Sequence, residues 1–365
     1  MSKRNENPHA AVSFVDGEIA SPRKAPAFAR TWKKQGTKVF LALLIILLFW
    51  WAWRDVSLFS LHETLRYLKT ISLVILFIVN AAILMLFSSR WWLIVRALGH
   101  RIPYLTLAKY RLASFGVSYF TPGPQFGGEP LQVYLLKKRH NVPTETALAS
   151  VSLDKILELL ANFTFIALGI LLVVWQGLFF QALSGLLILV SAGIVVILLI
   201  YLFAMLLGKT PLAWIFGRLP LLRLDAPLLN TIRQTLLDAE SQIGTFCRQQ
   251  PRIILQATAL SALIWLALLA EYALALRFFG LQTSLLNVLA IILFARLAFL
   301  TPLPGGLGAL EAGQVFAMQV LGFDPILGVS ISLFIRVRDS FFGLLGLWLG
   351  SAYNSRDEKM PSPNL

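Results

Sequence analysis

Apolar residues gather in long runs along this chain, separated by short polar or proline- and glycine-rich stretches. The runs predict a short helix at 39–53, ending in Trp50, Trp51 and Trp53, and a longer one at 71–92. An ambivalent segment at 104–120 carries Lys109 and Arg111, and a short apolar piece follows at 131–136. Two long helices are expected at 146–175 and 178–207. After a more polar stretch come a helix at 252–279, a segment at 284–300, a short piece at 309–321 and a last long helix at 325–353. Several of these runs reach or pass the roughly 20 apolar residues a helix needs to cross a bilayer core. The expected fold class is an all-α polytopic membrane protein, with about six full spans plus two re-entrant helical hairpins. In the polar stretch 208–251, Leu229, Ile232, Leu236, Ile243 and Phe246 recur at helical spacing, which predicts an amphipathic helix on the membrane surface.

Two of the breaks between runs are alike. The first, TPGPQFGGEP, covers Thr121 to Pro130; the second, TPLPGGLGALE, covers Thr301 to Glu311. Each has Thr-Pro-x-Pro, a glycine pair and a glutamate, and each glutamate lies 14 residues before a proline that opens a long helix, Pro143 or Pro325. The offset of 182 residues is about half the chain and predicts a duplicated unit, repeat one at about 71–175 and repeat two at about 252–353. Around these repeats, 39–353 reads as a single transmembrane domain, 1–38 as a disordered basic tail and 354–365 as a short cytoplasmic tail.

Charge sets the expected orientation. If each broken segment returns to its own side, then residues 1–38, 90–111, 137–139, 208–252 and the C-terminus share one side and hold 24 of the 32 Lys and Arg. The positive-inside rule makes that side cytoplasmic, with both termini on it. The first break is then entered from the cytoplasm and the second from outside. Such an inverted repeat is the arrangement transporters use to build a midplane site.

Composition agrees with a membrane and excludes much else. The chain is 57% hydrophobic and 14% charged, with net charge +14. The basic residues flank apolar segments, so topology explains them better than a nucleic-acid face does. The single Cys247 excludes an internal disulfide or a multi-cysteine metal site, and the four histidines are scattered. No cofactor and no metal is expected, the oligomeric state is open, and no nucleophile–base pair marks an enzyme. The tail is too long for the leading region of a cleavable signal peptide.

The candidate chemistry lies at the breaks. Backbone that leaves the helix inside a bilayer is tolerated only where protein or a wet cavity covers it. Thr121, Gly127 and Gly128 in the first break and Thr301, Gly305, Gly306 and Gly308 in the second either line a site or shape tight turns. The helix N-terminus beyond each break attracts anions, a lipid phosphate among them. Glu129 and Glu311 either cap those helices or meet a cationic head group or a coupling proton. Asp154, Lys155 and Glu158 in one long helix and Arg336, Arg338 and Asp339 in the other must pair or face water. The offset places Asp154 opposite Arg336, so pairing between the repeats is expected, as a lock, a substrate contact or both. Arg296, five residues before the second break, is positioned for a phosphate or for snorkelling. Glu271 and Arg277 are weaker candidates. Lys109, Arg111 and the run Lys137–Arg139 are expected at the surface, on anionic head groups.

The paired breaks, with GGE at 127–129 and PGGLGALE at 304–311, resemble the flippase-like transmembrane family named for the membrane region of lysylphosphatidylglycerol synthase, the multiple peptide resistance factor. The likeness covers about residues 40–352. It implies a protein of the cytoplasmic (inner) membrane that handles anionic or aminoacylated phospholipids, or polyprenyl- or hopanoid-linked lipids. About a dozen residues follow the last expected span, so the family's soluble transferase domain is expected to be absent. Transport is implied and synthesis is not. A membrane transferase and an ion-coupled small-solute transporter stand as the alternatives.

Overall fold

The computed structural model describes residues 69–121, 127–175, 177, 181–218, 227–301 and 303–356, and every regular element in them is helical. The expected span at 39–53, the tail 1–38 and most of 354–365 lie outside the described residues. In chain order the helices are α1 (Thr70–Ala97), α2 (Tyr104–Phe120), α3 (Glu129–His140), α4 (Thr144–Trp175), α5 (Gln181–Leu206) and α6 (Pro211–Arg218). They continue with α7 (Pro227–Gln249), α8 (Pro251–Phe278), α9 (Leu285–Phe299), α10 (Ala309–Val320) and α11 (Pro325–Arg356), with a 3-10 turn at Pro304–Gly306. Prolines 211, 227, 251 and 325 occupy first helical positions, where their missing N–H costs nothing.

Among the described residues, four helices are long and apolar enough to cross a membrane: α1, α4, the Leu189–Leu206 part of α5, and α8. Helix α11 matches α4 at 32 residues but carries Arg336, Arg338 and Asp339 near its middle. The outer faces are apolar, with Ile71, Val74 and Ile78 exposed on α1 and Ile197, Ile200 and Phe203 on α5. Such faces suit lipid, which is as apolar as the side chains themselves.

The helix lengths recur. Helices α1 and α8 both have 28 residues, α3 and α10 both have 12, and the starts of α1, α2 and α4 precede those of α8, α9 and α11 by 181 residues. Packing recurs too. Helix α2 packs on α1, on α3 and on α11, while α9 packs on α8, on α10 and on α4; α1 and α8 pack on each other.

The two long-helix seams differ in closeness. Between α2 and α11, a Cβ on Gly346 would run into the backbone carbonyl of Leu112, and one on Gly116 into that of Gly343. Glycine lets these backbones touch. Between α4 and α9, a Cβ on Gly169 would sit 3.4 Å from the Leu293 side chain, an ordinary contact.

The 208–251 stretch forms two helices, and its apolar stripe is divided. Ile243, Phe246 and Cys247 of α7 are buried among Ala149 and Leu153 of α4 and Met205 of α5, whereas Ile232 is exposed. The buried Glu240 carboxylate accepts from the Leu212 and Ala213 amides at 2.7 and 3.1 Å, an anion at the α6 N-terminus.

Candidate functional site

Glu129 opens α3, directly after the first break. One of its oxygens accepts from the Gly127 amide at 2.8 Å, and the other lies 3.0 Å from the Lys155 ammonium of α4. One carboxylate thus closes the turn before α3 and pairs with α4, while no side chain caps the first amides of α3. Lys155 also reaches Glu158 at 2.9 Å. Behind them, Arg90 of α1 donates to Asp154 at 2.7 Å and to Glu158 at 3.3 Å, and Arg111 of α2 pairs with Asp154 and with Glu158. Three cations and three carboxylates thus balance in one cluster, with Arg90 and Asp154 almost fully buried. Burial of such charges is tolerable only because each is neutralised and hydrogen-bonded.

The matching cluster sits beyond the second break. Arg336 of α11 pairs with Glu311 of α10, and Arg338 pairs with Glu271 of α8 and, at 2.9 Å, with Asp339. Asn80 of α1 donates to Glu271 at 2.8 Å, while Arg90 of α1 donates to Ser261 of α8 at 3.0 Å. Arg90 and Glu271 are 181 residues apart, as are Asn80 and Ser261, so these two bonds are counterparts across the α1–α8 contact. The charge carried by the α1 position is reversed at the α8 position.

The expected pairing of Asp154 with Arg336 is not made. Asp154 is held by Arg90 and Arg111, and Glu311 is the carboxylate paired with Arg336. The reason is packing: α4 lies against α9, and α11 against α2, so equivalent positions on the two long helices do not face one another. Arg111, expected at the surface, is turned into the first cluster. Glu271, ranked as a weaker candidate, is buried at the centre of the second. Arg90 was hidden from sequence reasoning because it precedes two tryptophans and looks like the end of a span; α1 in fact runs on to Ala97.

The break residues divide into structural and site-lining ones. Thr121 donates to the Val117 carbonyl at 2.9 Å and Thr301 to that of Ala298 at 2.7 Å, closing the ends of α2 and α9. Gly128 lies where a Cβ would strike the Ser114 backbone, and its amide donates to Ser118 Oγ at 2.9 Å. Gly305 adopts φ 57° beneath the Tyr119 ring, so the end of α2 beside the first break touches the second. Gly306 packs near Phe299, and Gly308 precedes α10 in open space. Residues 122–126 and Pro302 lie outside the described residues.

Two glutamines complete the picture, and neither was singled out from the sequence. Gln132 and Gln314 each lie three residues after the break glutamate, 182 apart, and both are buried with an unpartnered side-chain oxygen. The signal was available as Glu-x-x-Gln after each break. Gln132 lines a cavity of about 80 Å³ with Arg111, Ser114, Ser118, Glu129, Asp154 and Lys155. A larger cavity of about 440 Å³ lies between α1, α4, α5, α8 and α9. Arg90, Lys155, Glu158, Asn162 and Arg296 face it, and Phe163, Trp265, Leu268 and Phe299 form apolar walls. Lys155 and Glu158 line both cavities and stand between them. Among the described residues, no three His, Cys, Asp or Glu side chains come together to hold a metal ion.

Residues 38–346 match the family described as the lysylphosphatidylglycerol synthase TM region. The chain belongs to this family. Its relatives include a UPF0104 membrane protein of Methanothermobacter thermautotrophicus, 25% identical over 302 residues, or 80% of this chain and 86% of that protein. A second UPF0104 membrane protein of that organism is 31% identical over 102 residues, covering 27% of this chain and 28% of its own length. No solved structure matches. For this member of the family, the match spans both breaks and both charge clusters, and ends within α11.

Proposed function

We propose that this chain is a lipid transporter of the flippase kind in the cytoplasmic membrane. It moves a polar or charged lipid head group between leaflets through a midplane site, while the acyl chains stay in the bilayer. We take the activity to be transport, with no bond made or broken. In this reading the recurring helices form an inverted repeat, α2–α3 and α9–α10 are re-entrant hairpins entering from opposite faces, and both termini are cytoplasmic.

The observation that carries the proposal is the matched pair of contacts Glu129–Lys155 and Glu311–Arg336. Each joins an interrupted helix to a long one through an ion pair that is costly to keep in a membrane without a task. A phosphate can take the place of the carboxylate on the cation, and a head-group amine can take the place of the cation on the carboxylate. Anionic or aminoacylated phospholipids fit this chemistry, as do polyprenyl- or hopanoid-linked ones, and the name of the family supports a lipid.

Leaflet exchange of labelled phospholipid in proteoliposomes tests the reading. Wild type is expected to exchange lipid and the Glu129→Gln/Glu311→Gln protein to lose that activity while keeping its fold. Equal exchange in both would overturn the site.

A further inference from the structure

We propose that the larger cavity is a phospholipid-binding site reached sideways from the bilayer, through a gap between α5 and the α8–α9 pair. The inference rests on the lipid-transport reading and supplies its route.

Charge is the first ground. Arg90 and Lys155 face the cavity but are ion-paired, whereas no carboxylate among the described residues lies within 4 Å of Arg296. Its guanidinium stacks on the Trp265 ring, 4.9 Å from the centroid. An arginine at membrane depth with a ring face as its contact calls for an anion, and guanidinium matches the oxygens of a phosphate. The walls are the second ground. About 440 Å³ bounded by Phe163, Ile194, Leu268 and Phe299 suits part of an acyl chain, with the one free cation among the described lining residues set to receive the head group.

The third ground is where the cavity opens. Helix α5 has no counterpart in the recurring series; it packs along α4 and α7 and forms a cavity wall through Val190 and Ile194. Across the cavity stand Trp265 and Leu300. Val190 and Leu300 are themselves exposed, so the cavity reaches the lipid-facing surface between them. That opening gives a chain-bearing ligand a way in, and a lipid already in the bilayer is its source.

The experiment uses the full chain in proteoliposomes with phosphatidic acid carrying a mid-chain diazirine, and adducts are mapped by mass spectrometry. Adducts are expected at Val190, Ile194 and Trp265. Arg296→Gln should cut them about tenfold relative to adducts on Val196 and Phe203, exposed on the other side of α5, and Arg296→Lys should restore part of the signal. Leu199→Phe, on the outer face of α5, should leave them unchanged, as should excess inorganic phosphate. Equal yields in wild type and Arg296→Gln would overturn the site, and loss of capture to inorganic phosphate would overturn the lipid as its source. Capture without leaflet exchange would sink transport and leave the portal standing. Exchange that persists in Arg296→Gln with capture abolished would keep the binding site and overturn it as the route of transport.

Discussion

Lys155 of α4 stands 3.0 Å from Glu129 of α3, so a single ammonium ties the interrupted helix to the long one while it also holds Glu158. Lys155 borders both cavities, and loss of the Glu129 contact would leave its pairing with Glu158 in place. Glu129→Gln is expected to lower leaflet exchange about tenfold. The charge-reversed pair Glu129→Lys/Lys155→Glu should recover part of that loss, which a double-mutant cycle on exchange rates would measure. Full additivity of the two single changes would mean that the pair does not act together.

The buried core of the first cluster predicts a stability effect of a different kind. Removing Arg90 alone leaves Asp154 and Glu158 with an uncompensated buried charge. Arg90→Met should therefore destabilise the fold by about 3–5 kcal/mol. Arg90→Met/Asp154→Leu should be less destabilised than the sum of its single changes, read by thermal unfolding in detergent.

Gly346 gives a steric prediction. Its added Cβ would strike the Leu112 carbonyl, so Gly346→Ala should cost about 1–3 kcal/mol through overpacking of the α2–α11 seam. A Cβ on Gly193 of α5 would meet no neighbouring atom within 4 Å beyond its own helix, and Gly193→Ala should be neutral or slightly stabilising. Comparing the two unfolding temperatures separates the seam from the outer helix.

Gln132 sets stability against activity. Its side-chain oxygen is buried without a partner, a condition that costs free energy in a purely structural residue. Gln132→Leu should keep or raise the unfolding temperature while reducing leaflet exchange. A variant that is less stable and fully active would assign Gln132 to packing.

Cys247 supplies a pH-dependent check outside the spans. Burial in α7 pushes its thiol up to about 11, and the thiolate is the reactive form. Maleimide labelling of native protein should be slow at neutral pH and should speed up as pH rises towards that value. Unfolding in denaturing detergent should make labelling fast at neutral pH. Rapid labelling of the native protein would place α7 elsewhere.

The sequence alone determined the helices and the recurrence of their order. Long apolar runs leave no other way to satisfy a backbone in lipid, and prolines and glycines mark where runs stop. The two breaks and their glutamates were legible for the same reason. Charge partners were not. Asp154 aligns with Arg336 in sequence, yet alignment says only that two residues hold equivalent places, not that those places meet. Tertiary structure decided that α4 turns to α9 and α11 to α2, which gave Asp154 to Arg90 and Arg111 and Arg336 to Glu311. At α1 and α8, which pack on each other as equivalent helices, counterpart residues bond across the contact, as Arg90–Ser261 and Asn80–Glu271 do. Period and hydropathy fix which segments are helices, but the crossing of helices far apart in sequence fixes which buried charges can neutralise one another.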